Sequence, residues 1–122
     1  MMKRMALLAA VLAVMGVAGA NAVEKYGVPV YPGAEYDEGT TRYLDDVLYI
    51  EGEAYRTPEN PSTVAEFYAK QGLTPAKAKA KAKAHAVFKK EGVEVTIQGP
   101  PRKDMTSGQK MEDTLITITK ED

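Results

Sequence analysis

Six lysines within residues 77–90 form the densest group of charged side chains in the sequence. Four of them alternate with alanine: Lys77, Lys79, Lys81 and Lys83. Ammonium groups in such a run could contact anionic lipid head groups, lipopolysaccharide phosphates or an acidic protein. The same lysines could instead keep an alanine-rich segment in solution, or pair with the acidic N-terminal half within the same fold or a dimer. The run also lacks the apolar face of a membrane-surface helix. Lysine and alanine both favour helices, so we predict an exposed Lys/Ala-rich helical segment from Pro75 to about Ala84.

Tyrosines form a second group of residues that could bind a ligand. Six of the seven lie within residues 26–55. With the carboxylates around them they could make a sheet surface that stacks on sugar rings or contacts a peptide. The candidate ligand-binding residues of this surface are Tyr36, Tyr43 and Tyr49. The alternative is that tyrosine is simply a favourable strand residue with one polar end.

Carboxylates in the same region could bind a metal or act as an acid–base pair. They are Asp37, Glu38, Asp45, Asp46, Glu51 and Glu53. Their spacing differs from that of a calcium-binding loop, and a polar turn beside a solvated strand face also explains them. Two carboxylates converging in a cleft could serve an envelope hydrolase. No neighbouring pattern indicates the apolar setting that would raise the pKa of one of them.

His85 is the only histidine, and the chain contains no cysteine. A histidine metal site needs further ligands, and a nucleophilic triad needs a serine or cysteine beside its base. Ser62 and Ser107 lie in a predicted helix turn and in a polar loop. We therefore predict no catalytic residues, no metal ligands and no cofactor, and we expect His85 to lie on the surface beside the lysines.

The first 22 residues have the pattern of an export signal. Lys3 and Arg4 form a positive region, residues 5–17 an apolar region, and Ala20-Asn21-Ala22 a small-residue cleavage site. The apolar region is short for a membrane span. We expect cleavage after Ala22, which leaves residues 23–122 as one small domain that is periplasmic in a bacterium or secreted. Without a cysteine the mature chain has no lipid attachment site of that type.

The charge of this predicted mature chain is divided unevenly. Residues 23–60 contain nine acidic and three basic residues, and residues 61–122 contain eight acidic and eleven basic ones. The whole is mildly acidic, whereas a nucleic-acid-binding domain is expected to be strongly basic. We therefore predict no nucleic-acid partner and no transmembrane segment in the mature chain.

Several elements can be placed along the chain. Residues 35–43 and 47–55 are predicted strands, and residues 85–99 predict a hairpin that turns at Lys90, Glu91 and Gly92. A last strand is predicted over residues 114–119. Between these strands, Asn60 and Pro61 are typical of a helix start, and Gly72 is typical of a helix end. The order of elements predicts an α+β fold, with an antiparallel sheet of about four to five strands and one main helix on one face.

Two stretches carry a resemblance to a family. "VPVYPGAEY" and "YRTPENPSTVAEFYAKQGL", in residues 28–73, resemble a loose group of small exported bacterial proteins and lipoproteins. Members share a Tyr-Pro-Gly-Ala turn before a strand and a capped helix ending in Phe-Tyr. The resemblance implies a fold and a compartment, and it implies no catalytic residues. This chain departs from the group in lacking a lipid-anchor cysteine and in its Lys–Ala run.

Together these patterns favour a non-catalytic exported domain that binds a protein or glycan partner in the cell envelope. Two alternatives stay open. One is an envelope hydrolase that uses a carboxylate pair. The other is a cationic adaptor that binds anionic envelope components through residues 77–90.

Overall fold

The computed structural model of the chain describes residues 23–77 and 84–121. The chain divides into two compact units, Met1–Pro32 and Gly33–Asp122. In the first unit, strands β1 (Glu24–Lys25) and β2 (Val28–Pro29) form an antiparallel hairpin. Tyr26 and Gly27 make its turn with φ of 55° and 81°, the pair of positive angles that a two-residue hairpin turn requires.

The second unit contains a six-stranded antiparallel sheet and two helices, which confirms the predicted α+β class. The strand order is β3-β4-β10-β7-β6-β5. These strands are β3 (Glu35–Tyr36), β4 (Gly52–Thr57), β5 (Thr74–Ala76), β6 (Ala86–Lys90), β7 (Val93–Gln98) and β10 (Thr114–Lys120). A separate ladder joins β8 (Arg102–Lys103) to β9 (Lys110–Met111) within the predicted polar loop. The helices are α1 (Glu38–Asp46) and α2 (Pro61–Ala69).

The predicted strand over residues 35–43 is wrong beyond Tyr36, because helix α1 begins at Glu38. The carboxylate of Asp37 accepts the Thr40 N–H at 3.0 Å and the Thr40 hydroxyl at 2.8 Å, so it caps the helix. The start of α1 then hydrogen-bonds to the edge of β4 in place of a strand. The Asp37 N–H donates to Ala54 O, and the Ala54 N–H donates to Thr41 Oγ1. The next predicted strand is displaced as well, since β4 covers 52–57 rather than 47–55.

Helix α2 follows the predicted signals. Oδ1 of Asn60 accepts the N–H groups of Ser62 and Thr63 at 2.8 and 3.2 Å, and Pro61 is the first helical residue. Gly72, just past the helix, has φ of 78°. The helix buries Val64 and Tyr68 and contacts strands β6 and β7. It is the main helix that the sequence placed against the sheet.

The predicted Lys/Ala-rich helix does not begin at Pro75, because Thr74–Ala76 is strand β5 at the edge of the sheet. This strand pairs with β6, with Pro75 opposite Phe88. Backbone pairing with a neighbouring strand thus outweighs the helix propensity of the local sequence. Residues 78–83 of the predicted helical segment lie outside the described residues.

The C-terminal hairpin and last strand are confirmed. Strands β6 and β7 turn at Glu91 and Gly92, with φ of 44° and 81°. Strand β10 lies between β4 and β7 and is buried from Thr114 to Ile118. Its Ile116 and Ile118 lie beside Ile97 and Val95 of β7, and all four are fully buried. These two central strands form the middle of the core, and α2 contacts β7 and the neighbouring β6.

Candidate functional site

The end of helix α1 carries the strongest candidate for a binding site. We call residues Asp45, Asp46, Val47, Leu48 and Tyr49 the 45–49 segment. Its backbone is held by the last carbonyl groups of the helix. The N–H groups of Val47 and Leu48 donate to Tyr43 O at 3.0 and 3.2 Å. The segment is therefore anchored at its backbone while its side chains lie on the surface.

Three consecutive apolar side chains of this segment are exposed. Val47 is 52% exposed, Leu48 43% and Tyr49 87%. Scattered exposed apolar residues are ordinary, but a contiguous group is typical of an interaction site. The sequence placed Val47 and Leu48 in a strand and did not identify them as binding residues. Their exposure follows from the helix that precedes them.

The backbone at Tyr49 adds a second unusual feature. Its φ is 55°, in the left-handed region that bulky side chains seldom adopt. This conformation costs about 1–2 kcal/mol for a residue with a Cβ atom. The next N–H, that of Ile50, donates to Leu44 O at 2.8 Å and fixes the turn that presents the ring.

Asp45 and Asp46 place negative charge at the same position. They lie in the last turn of α1, which contains no basic residue. The carbonyl end of a helix already carries partial negative charge, so acidic side chains there are unfavourable. Among residues 23–77 and 84–121, no ion pair involves either aspartate. The 45–49 segment is thus both apolar and acidic.

In the described residues, no ring contact joins the three predicted tyrosines to one another. Tyr49 belongs to the 45–49 segment, and Tyr43 is half-buried in α1. Tyr36 is 52% exposed on strand β3, and its ring packs edge-on against Tyr55 with centroids 5.8 Å apart. The hydroxyl of Tyr55 donates to the Glu53 carboxylate. The ring contacts of the described residues join Tyr36 to Tyr55, and not to Tyr43 or Tyr49.

The predicted lysine site is described only at its first member. Lys77 is exposed directly after strand β5. Lys79, Lys81 and Lys83 lie outside the described residues. His85 is exposed, and its backbone N–H donates to Ile97 O at 2.7 Å, which continues the pairing of β6 with β7.

Two carboxylates converge elsewhere, at Arg56. Its Nε lies 4.0 Å from Asp37 Oδ2 and 3.6 Å from Asp113 Oδ2. Arg102 also pairs with the Asp113 carboxylate and donates from Nε to the Asp113 carbonyl at 3.1 Å. Since both carboxylates are engaged by arginines or by the cap of α1, the arrangement is an ion-pair network that fastens the chain before β10 to β4. In the part of the chain that the structure describes, no three His, Cys, Asp or Glu side chains are grouped as metal ligands.

Comparison with family models, with curated proteins and with solved structures finds no match to this chain. None of the helices in residues 23–77 and 84–121 has both the length and the apolar character needed to cross a membrane.

Proposed function

We propose that this protein is a non-catalytic exported domain that binds a protein partner in the bacterial cell envelope. The observation that carries the proposal is the exposure of Val47, Leu48 and Tyr49 on a loop with a hydrogen-bonded backbone. A partner that covers these side chains removes apolar surface from water without having to order the loop first. Tyrosine is frequent among the residues that contribute most to protein interfaces.

The energy available from this surface contributes to binding but is not enough for it alone. Full burial of an exposed leucine contributes about 1.5–3 kcal/mol, of which Leu48, 43% exposed, can gain a part, and Tyr49 presents a larger ring. Part of that gain offsets the loss of motional freedom on association. A partner must therefore also contact residues around the 45–49 segment to reach useful affinity.

The proposed compartment rests on the N-terminal sequence. A basic pair, an apolar stretch and Ala20-Asn21-Ala22 are the three parts of an export signal. The resemblance of residues 28–73 to small exported proteins supports the same proposal. Mass spectrometry of the protein in the periplasmic fraction should find an N-terminus at Val23. A chain that retains residues 1–22 in the cytoplasm would contradict export.

Site-specific photo-crosslinking in intact producing cells tests the binding proposal. A photoreactive phenylalanine analogue replaces Tyr49 in one variant and Glu66, an exposed residue of α2, in a control variant. We expect one defined protein adduct from position 49 and none from position 66. In the position-49 variant, Leu48→Asp should remove the adduct, whereas Met105→Asp, at an exposed apolar residue elsewhere, should not. Equal yields from positions 49 and 66 would contradict the proposal.

A second candidate function, glycan binding, is favoured by the exposed ring of Tyr36. Its edge contact with Tyr55 holds it in place, and the Glu53 carboxylate beside Tyr55 can accept hydrogen bonds from sugar hydroxyls. Titration with a lipopolysaccharide-derived oligosaccharide would then shift the amide resonances of Tyr36 and Tyr55. If those resonances do not move while position 49 crosslinks, the protein partner is the better assignment.

A further inference from the structure

We infer that the partner presents a cationic apolar segment, with an arginine or lysine next to an aliphatic side chain, to the 45–49 segment. The inference rests on the proposed function and adds the chemistry of the partner. It follows from the charge of the segment and from the exposed apolar side chains beside that charge.

The charge of the segment is negative and is not balanced within the described chain. Asp45 and Asp46 lie at the carbonyl end of α1, where the helix dipole adds further negative potential. Their position is unfavourable for the helix itself, and no ion pair of residues 23–77 and 84–121 offsets it. A cation docked at this end would be attracted by both carboxylates and by the helix terminus.

Three exposed acids of the described residues have cationic neighbours. Glu38 pairs with Arg42 at 2.6 Å, and Glu121 pairs with Lys89 at 3.0 Å. Glu112 lies 3.8 Å from Lys110. Asp45 and Asp46 make no ion pair among these residues, as is also true of Glu66 and Glu91, but they directly precede three consecutive exposed apolar side chains.

Tyr49 supplies the complementary surface for a cationic side chain. An arginine guanidinium can stack on an exposed tyrosine ring and pair with a carboxylate at the same time. Val47 and Leu48 can cover the aliphatic part of that side chain or an adjacent apolar residue. The same charges disfavour anionic ligands such as phosphate-bearing lipids at this site.

Selection of peptides on the purified protein tests the inference. A displayed library of random peptides is selected on the native protein, with counter-selection on the variant Leu48→Asp/Tyr49→Ser. We expect the peptides that depend on the 45–49 segment to be enriched in arginine or lysine next to apolar residues. For a synthetic peptide of this type, Asp45→Asn/Asp46→Asn should weaken binding about three- to tenfold at low salt. The difference should shrink at high salt, because screening weakens exposed ion pairs.

The matched control is Glu66→Gln/Glu91→Gln, which removes two exposed carboxylates elsewhere and should leave the affinity unchanged. Amide spectra of each variant establish that it is folded. Segment-dependent peptides that are neutral or acidic would overturn the cationic partner while leaving the proposed protein-binding function standing. Selection that yields no segment-dependent peptide would overturn both.

Discussion

Helices α1 and α2 are equally long and begin in the same way, but they end differently. Each contains nine residues and is capped by an Asx side chain, Asp37 in α1 and Asn60 in α2. Helix α2 ends at Ala69, and the turn after it leads through Gly72, which has a positive φ, to the buried Leu73. Helix α1 ends with two aspartates, and the apolar residues after it are exposed. The chain after α2 thus packs into the core, whereas the acidic residues at the end of α1 destabilise that helix.

The largest difference in stability should appear when one tyrosine from each helical region is replaced by alanine. Tyr68 of α2 is fully buried, so Tyr68→Ala should lower the free energy of unfolding by about 3–5 kcal/mol. Tyr49→Ala should change it by less than about 0.5 kcal/mol, because the ring has little contact to lose. Urea denaturation measures both values. Similar losses of unfolding free energy in the two variants would contradict the idea that α2 contributes to the core while the residues after α1 serve binding.

The second-largest effect on stability should come from removing the N-cap side chains of the two helices. Asn60→Ala removes the acceptor of two backbone N–H groups and should cost about 1 kcal/mol. Asp37→Ala should cost more, up to about 2 kcal/mol, because this carboxylate also accepts the Thr40 hydroxyl and lies near Arg56. Denaturation curves of the two variants test the order. Asp37→Asn is the matched control, since it keeps the cap and removes the charge.

A substitution at the acidic end of α1 should stabilise the fold, in contrast to the cap substitutions. Asp46→Lys places a cation at the carbonyl end of the helix and should stabilise the fold by about 0.3–1 kcal/mol. The same variant should lose affinity for a cationic partner. Thermal unfolding and peptide binding are measured on one sample. A destabilised variant would show that Asp46 contributes to folding after all.

The smallest expected effect on stability concerns Asp104, whose carboxylate accepts hydrogen bonds from backbone N–H groups. The Thr106 hydroxyl, and then the Thr106 N–H, lower the pKa of Asp104 below its ordinary value of 3.8. The resulting stabilisation of the turn between β8 and β9 is present above that ordinary value and is lost as pH falls through the lower folded pKa. A carboxyl NMR titration measures the shift, and Asp104→Asn should remove the pH dependence of the Thr106 amide resonance. A carboxyl group that titrates at or above its ordinary value would contradict this role.

The same contrast explains how much of the fold could be predicted from the sequence. Helix α2 was predicted because its cap, first-turn proline and terminal glycine all lie within the helix's own sequence. The hairpin of β6 and β7 and the alternation of β10 were also local patterns. Helix α1 was missed because Thr40, Thr41 and Tyr43 favour strands, and its cap depends on hydrogen bonds that the residue types alone did not reveal.

The candidate site was less accessible to sequence reasoning. Tyr49 was named, but Val47 and Leu48 were assigned to a strand, where they would have been half-buried. Their exposure depends on where α1 ends and where β4 begins, which is set by pairing of β4 with β10 far along the chain. Strand β5 was missed for the same reason, since its partner β6 lies beyond the lysine run. The one local signal was the pair of acids at the start of the 45–49 segment, followed directly by apolar residues.

The most direct test compares Leu48→Asp with Met105→Asp for both stability and binding of the crosslinked partner. Leu48 and Met105 are both exposed apolar residues of the described chain, but only Leu48 belongs to the 45–49 segment. The account predicts that both variants unfold within about 0.5 kcal/mol of the native protein and that only Leu48→Asp loses the partner. A Leu48→Asp variant that keeps the partner, or that loses it only because it unfolds, would contradict the central claim.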